Sequence, residues 1–388
     1  MTTAAPAPAP RRRAASRPPT LGPGHRVVVR ALGADPLDAL AHHVELEPMA
    51  PPDPAELGAD DVVIAVRAAA VGWVDLIMMS GQYQHVAEPP YTPGLEYAGV
   101  VAWVGASAAA RHAVGDAVVV DPFLTGPRSS GPYQRWGGFA SYAVAPAPAV
   151  RPIPGDLSFD QAAGILGSYE TAYHCLLTRG RLAAGETVLI LGASGATGLA
   201  AVQIAKRVGA RVIAVGRAGP KLDTVRTLGA DDVVAAERDA AGGLRPFREQ
   251  VRALTGGRGV DVVYDGVGGE LSLEALRCVR FGARFLIVGW ASTPGVAAGR
   301  GQRGAPNANQ LPTNLIMMKG LDVLGCPTVI ATSNDPGLRP PRLAQIEAWL
   351  GAGELVPYVS HQFALSDYQQ ALRAKWNGEV VGGGVVRP

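Results

Sequence analysis

One stretch limits the possible folds of this chain more than any other: ETVLILGASGATGLAAVQIAKRVG, from Glu186 to Gly209. An apolar run enters three glycines, Gly192, Gly195 and Gly198, and leaves as an amphipathic helix. Glycine suits this order because the chain must turn sharply, let a ligand approach its amides and pack a new helix close to the strand. The first helical turn also presents N–H groups without intrahelical acceptors, at the positive end of the helix dipole. A pyrophosphate fits such a cradle, so the turn is expected to bind a dinucleotide, with Ser194, Ala196 and Thr197 beside the glycines. The spacing is GxxGxxG rather than the general GxGxxG. No GK[ST] follows, which excludes a nucleotide-triphosphate loop.

The next strand selects the dinucleotide. An NAD site places an Asp or Glu at its end to accept the ribose 2′-hydroxyl. RVIAVGRAGPKLDTVRTLGA supplies Gly216 and Arg217 there instead, with Lys221 opening the following helix. Two cations and no carboxylate favour a 2′-phosphate, and NADP(H) is the expected cofactor.

Around the cradle the pattern alternates between helix and strand from about Ile153, through FDQAAGILGSYETAYHCLLTRG, ETVLILG, RVIAVG, VDVVYDG, ARFLIVG and LDVLGC. Such alternation predicts a doubly wound parallel sheet of the Rossmann type. Before it, short β-branched runs such as HRVVVRAL, DVVIAVRAAAVG, YAGVVAWVG and DAVVVDPF predict a mostly antiparallel β domain. The α/β chain therefore divides into a disordered Pro/Ala tail (1–24), a β domain (25–152), a dinucleotide-binding domain (153–330) and a C-terminal stretch (331–388) expected to return to the β domain.

Composition narrows the partners. Hydrophobic residues make up 48% and charged residues 18%, and 35 Lys+Arg against 33 Asp+Glu leave a formal charge of +2. That balance gives no field for nucleic acid or an anionic membrane surface, and no apolar run reaches a membrane span. A small-molecule substrate is expected. Cys175, Cys278 and Cys326 form no CxxC or Cys/His cluster, so a cytoplasmic setting without disulfide or cysteine-rich zinc site follows. His42 and His43 show no ligand spacing and are expected on an exposed strand edge or loop.

The order of parts, with AAVGWVDLIMMSGQY, PYTPGLEYAGVV, GGFASYAVAPA, the cradle, TGGRGVDVVYDGVGG, TNLIMMKGLDVLG and VVRP, resembles the medium-chain dehydrogenase/reductase superfamily. Specifically, it is similar to the zinc-free NADPH:quinone oxidoreductase and enoyl reductase branch, whose first domain is GroES-like. The resemblance spans His25 to Pro388. Where zinc members carry a Cys, this chain has Gly72-Trp73, and Leu95 stands at the histidine of their GHE. No metal is therefore expected. Glu96 survives and reads as a satisfied structural group. Quinone oxidoreductases usually carry Asn at the position of Gly72; of their NxxD only Asp75 is kept.

The resemblance also implies roles. Tyr83 matches a tyrosine near the substrate of enoyl-thioester reductases, where it can donate a proton to the α carbon. Thr171 and Tyr173 match a helix start beside the nicotinamide. Gly266, Val267 and Gly268, with Gly289, Trp290 and Ala291, match loops on the cofactor. Trp73 and Tyr83 are expected to contact substrate. Segments 121–138 and 292–312 exceed the usual family length and are expected near the interdomain cleft; Tyr133, Arg135 and Trp136 are the candidate substrate contacts there. The expected activity is zinc-independent, NADPH-dependent reduction of a quinone or an α,β-unsaturated carbonyl compound. Enoyl-thioester reduction and non-catalytic NADPH binding are the alternatives. LDVLGC, an expected edge strand, implies a homodimer.

Overall fold

The computed structural model describes residues 21–292 and 309–388. Its first seven strands are β1 (Gly24–Val29), β2 (Val44–Met49), β3 (Asp61–Ala70), β4 (Tyr97–Val104), β5 (Ala117–Val120), β6 (Tyr142–Pro146) and β7 (Val150–Pro152). β8 (Thr187–Leu191), β9 (Arg211–Gly216), β10 (Asp232–Ala235), β11 (Val260–Asp265), β12 (Val279–Ile287) and β13 (Asp322–Gly325) follow, then β14 (Val359–Ala364) and β15 (Gly383–Arg387).

β8 to β13 make one parallel sheet in the order β10-β9-β8-β11-β12-β13. Every residue of β8 and of β11 is buried, as strands covered by helices on both faces must be. The sequence of β8, Thr-Val-Leu-Ile-Leu, shows why it reads as an unbroken apolar run rather than an alternation. Strand order reverses between β8 and β11, and ligands of such sheets lie beyond the carboxyl ends at that point.

The second sheet runs β14-β15-β3-β4-β5-β7, with β6 also paired to β3. β15 enters its interior: Val385 and Val386 pair antiparallel with Ala70 and Ala69. The C-terminal stretch thus supplies two strands to the β domain. β1 and β2 form a separate antiparallel pair.

Two short helices in the β domain have no counterpart in the strand reading. Pro36–His42 is capped by Asp35, whose carboxylate accepts from Leu37 and Asp38 N–H. His42 therefore ends a helix and His43 caps it, correcting the expected strand edge or loop. The second helix, Trp73–Met79, has Asp75 in its first turn and buries Leu76, Met78 and Met79. Both are only seven residues long, too short to display helical periodicity. The single long helix expected from Phe159 onward is broken into Phe159–Ala162, Ile165–Tyr173 and a π-helical His174–Arg179. Gly164 caps the second of these helices, and a Cβ there would lie 3.3 Å from the Ala70 Cβ.

Candidate active site

The cradle lies where predicted. Gly192 follows β8 in the left-handed region at φ +69°, and helix Ala196–Arg207 begins at once. A Cβ on Gly198 would sit 2.3 Å from the Gly192 carbonyl oxygen, so helix and turn can approach only with glycine there. Ser194, Gly195, Ala196 and Thr197 remain partly accessible. The C-terminal stretch flanks this turn: Gly382 N–H donates to the Ser194 carbonyl at 2.8 Å.

Beyond β9, Gly216 leads into Arg217. Arg217 Nη2 donates to the carbonyls of Asn377 (3.0 Å) and Gly378 (2.7 Å), and Lys221 Nζ donates to the same Gly378 carbonyl. Neither cation has a carboxylate within ion-pair distance among the described residues. Burial, then the Arg217 charge, lowers the Lys221 pKa. Two adjacent cations held only by carbonyl dipoles fit a phosphate, as the cradle fits a pyrophosphate.

Asp265, fully buried at the end of β11, organises the next two loops. One carboxylate oxygen accepts from Val267 (3.0 Å) and Gly268 N–H (2.9 Å); the other takes the Ser272 hydroxyl. Gly266 and Val267 are then zipped to the following loop, since Ala291 N–H meets the Gly266 carbonyl and Ser292 N–H the Val267 carbonyl. Gly289, beside them, donates to the Asp265 carbonyl, and Trp290 stays half exposed. A Cβ on Gly268 would crowd the Trp290 Cα at 3.1 Å, which explains a glycine there. Thr171 lies half-buried on helix Ile165–Tyr173, while the ring of Tyr173 packs on Trp349 at 5.8 Å.

On the β-domain side Asp75 accepts from Gly72 (3.1 Å), Gly94 (2.9 Å) and Leu95 N–H (3.0 Å). Burial pushes its carboxyl up to about 6 against those three donors. A Cβ on Gly72 would meet the Asp75 carboxylate at 2.5 Å, so glycine at this position and the close carboxylate go together. Leu95 is buried in the core. Glu96 reaches the other domain and accepts from Gly167 N–H at 2.6 Å; burial raises its carboxyl to about 7. Among the described residues no three His, Cys, Asp or Glu side chains converge as a metal site.

Trp73 stacks on Trp376, with ring centroids 5.4 Å apart and planes 6° from parallel. Tyr83 lies half-buried between His85, at 5.8 Å, and the guanidinium of Arg128, 5.9 Å from its ring centroid. Two other expected substrate contacts point elsewhere. The Tyr133 hydroxyl donates to Asp61, at the opposite end of β3 from Ala70 and the Gly72 turn. Trp136 packs with Met49, Ala65, Ala140 and Tyr142, under the Arg135 guanidinium. An aspartate acceptor and a small apolar cluster hold these rings against the β domain. Most of segment 292–312 falls outside the described residues.

Sequence reasoning missed several residues that touch these candidates. Arg128 was hidden in a long irregular segment. Trp376, Gly378 and Gly382 lie far along the chain from the residues they touch. A buried ionic hub was missed as well: Arg339 pairs with Asp121 (2.6 Å) and Glu170 (2.8 Å), and Arg342 with Glu170 (2.8 Å), joining both domains to the C-terminal helix Arg339–Gly351.

A GroES-like sheet, a Rossmann sheet and a glycine cradle facing both define the class of nicotinamide-dependent medium-chain oxidoreductases. Comparison with known proteins agrees. Residues 58–155 match the alcohol dehydrogenase GroES-like domain, and residues 196–326 the zinc-binding dehydrogenase family. Over 331 residues the chain is 31% identical to the quinone oxidoreductase-like protein 2 homolog of Nematostella vectensis, covering 84% of this chain and 82% of that one. It is 39% identical over 241 residues to part of an erythronolide synthase of Saccharopolyspora erythraea, covering 62% of this chain and 6% of that one. A mycobacterial protein solved in complex with NADPH superimposes with a TM-score of 0.72 at 26% identity, covering 94% of this chain and all (100%) of that one. The chain belongs to the medium-chain dehydrogenase/reductase superfamily, in its quinone oxidoreductase branch, and is an oxidoreductase using a nicotinamide cofactor. No helix among the described residues is long and apolar enough to cross a membrane.

Proposed function

We propose that this enzyme uses NADPH, without zinc, to reduce a quinone or an α,β-unsaturated carbonyl compound. The observation carrying this reading is the pair Arg217 and Lys221, both turned to the Gly378 carbonyl with no carboxylate at the end of β9. These residues would hold the 2′-phosphate, and the amides of the turn from Gly192 to Gly198 the pyrophosphate. The loops braced by Asp265 would orient the nicotinamide end. Bound NADPH would supply a hydride. Tyr83 would give a proton to the α carbon of a reduced alkene. With Leu95 in place of a ligand histidine, charge developing on the substrate oxygen must be met by protein donors rather than zinc.

Reduction of an enoyl thioester is the second reading, kept open beside the 39% identity to a segment of an erythronolide synthase. The test is a panel of quinones, enones and enoyl-CoA esters, assayed by NADPH oxidation with and without a chelator. Turnover of quinones or enones unchanged by the chelator supports the first reading. Activity confined to thioesters favours the second, and NADPH binding without turnover of any substrate overturns both.

A dimer through the β13 edge and a reducing, cytoplasmic location belong to the same proposal. The three cysteines are buried and free.

A further inference from the structure

Among the described residues, arginines in the interior are matched by acceptors, with one exception. Arg339 has Asp121 and Glu170, and Arg342 has Glu170 and Thr332. Arg128 has rings instead: its guanidinium lies 5.5 Å from the centroid of Phe123 and 5.9 Å from that of Tyr83. Its Nε is buried and donates to no acceptor among the described residues. The two carboxylates that it influences electrostatically, Asp75 and Glu96, turn their oxygens to the N–H groups of Gly72, Gly94, Leu95 and Gly167. Neither segment outside the described residues, 1–20 or 293–308, contains an Asp or Glu.

A guanidinium stays charged at any physiological pH, and a buried N–H without an acceptor is costly. A ligand that supplies the missing acceptor accounts for such a group. One of the two rings it faces belongs to Tyr83, the residue proposed above for proton delivery. Asp75 and Glu96 oppose the arrival of a fully anionic group beside Arg128. A neutral carbonyl meets no such opposition and gains charge only after it has docked.

We propose that Arg128 touches the substrate and receives its carbonyl or quinone oxygen. This rests on the reductase reading above. With the dihydronicotinamide bound, its hydride would form a C–H bond at the β carbon of an enone. The alkene π pair then becomes the enolate Cα=C bond, and the carbonyl π pair moves onto oxygen, against Arg128. The α carbon next takes one proton, with Tyr83 as donor, and the C=O bond re-forms. The substrate is reduced by two electrons and the dihydronicotinamide oxidised by two. A quinone oxygen is held in the same way. Tyr83 thus serves carbon and Arg128 oxygen, the task that a metal performs in zinc-dependent relatives.

The experiment compares wild type with Arg128→Met and Arg128→Gln on quinones and enones of graded electrophilicity, with and without added guanidinium ion. Both variants should lose about 10²–10³-fold in kcat, as when a positioned oxyanion donor is removed. KM should change by only a few-fold and NADPH affinity should hold. Losses should be greatest on the least electrophilic substrates, and guanidinium should restore part of the turnover in the variants alone. Wild-type kcat in either folded variant overturns the proposal. So does a loss confined to KM for carboxylate-bearing substrates, which marks an anion anchor, or a loss that guanidinium does not rescue, which marks packing on Phe123. Should Arg128→Met fail to fold, Arg128→Gln, which keeps a polar side chain without the charge, decides. A wild type inactive on the whole panel fails the reductase reading and this proposal with it; an active wild type with undiminished variants fails this proposal alone.

Discussion

Arg217 Nη2 and the Gly378 carbonyl oxygen, 161 residues apart in sequence, are joined by a 2.7 Å hydrogen bond. The surroundings of Arg217, proposed above for the adenosine end of the cofactor, are therefore built by two distant segments. Gly378 stands at φ +63°, and a Cβ there would lie 2.1 Å from Arg217 Nη2. No other residue allows this contact without moving the guanidinium.

Arg217→Ala should weaken NADPH binding by roughly 1–3 kcal/mol, about 5- to 150-fold, and leave NADH nearly unchanged. Gly378→Ala should act in the same direction by displacing Arg217. Titration calorimetry with both cofactors checks this; equal affinity of the wild type for NADPH and NADH would refute it.

Tyr83→Phe keeps the ring under Arg128 and removes only the hydroxyl. A positioned proton donor contributes about 10²–10⁴-fold, so turnover of enones should drop within that range. Quinone oxygens can take protons from water, and their reduction should fall only slightly. Full activity of the variant on every alkene substrate would make Tyr83 a packing residue.

Glu96 gives a pH signature. Burial raises its folded-state carboxyl to about 7, with Asp75 and Glu170 adding repulsion and Arg128 opposing it. The unfolded chain releases this proton near pH 4.5. Between these values the folded state holds the extra proton, so stability falls as pH rises and the penalty is complete above pH 7. Glu96→Gln retains an acceptor for Gly167 and removes the titration. Urea unfolding at pH 5 and pH 8 should show the difference in stability shrinking by roughly 1–3 kcal/mol, discounted for the partial exposure of the side chain. An identical pH dependence in the variant would contradict this assignment.

β13 is the outermost strand of the parallel sheet, and Phe281, Met317 and Met318 nearby are 75%, 74% and 66% exposed. An unpaired edge beside apolar side chains favours pairing with a second copy. Light scattering at micromolar concentration should give twice the chain mass, and Met317→Lys with Met318→Lys should shift it toward the monomer. A monomeric wild type would refute the dimer.

The cradle was legible because its whole signal is contiguous: a buried strand, three glycines and a helix. Arg217 and Lys221 were legible for the same reason, being local to the end of β9. Their acceptor at Gly378 was not, since nothing in a linear reading joins residues 217 and 378. The loop from Asp121 to Gly138 shows a different limit. Without periodicity, residue type alone could not tell which side chain turns inward, and the aromatic candidates Tyr133 and Trp136 were bound to Asp61 and the Met49 cluster while Arg128 met Tyr83. The helix Trp73–Met79 was missed because it is shorter than two full periods of a reliable pattern.

The place of β15 inside the first sheet has a consequence for biogenesis. Its partner β3 leaves the ribosome some three hundred residues earlier, yet the β14-β15 pair can complete the sheet only after the whole dinucleotide domain has been made. A nascent β domain must therefore wait with the Ala69–Ala70 end of β3 unpaired on the edge where β6 covers only Asp61–Ala65, while the intervening Rossmann segments, whose contacts are more local, are free to fold first. Gly378 and Gly382 arrive with the same late segment, so a ribosome-bound chain that already contains the glycine cradle still lacks the groups that flank it. Premature termination before Gly378 would thus leave both an open sheet edge and the proposed cofactor site without its flanking carbonyls, exposing such fragments to aggregation and proteolysis together.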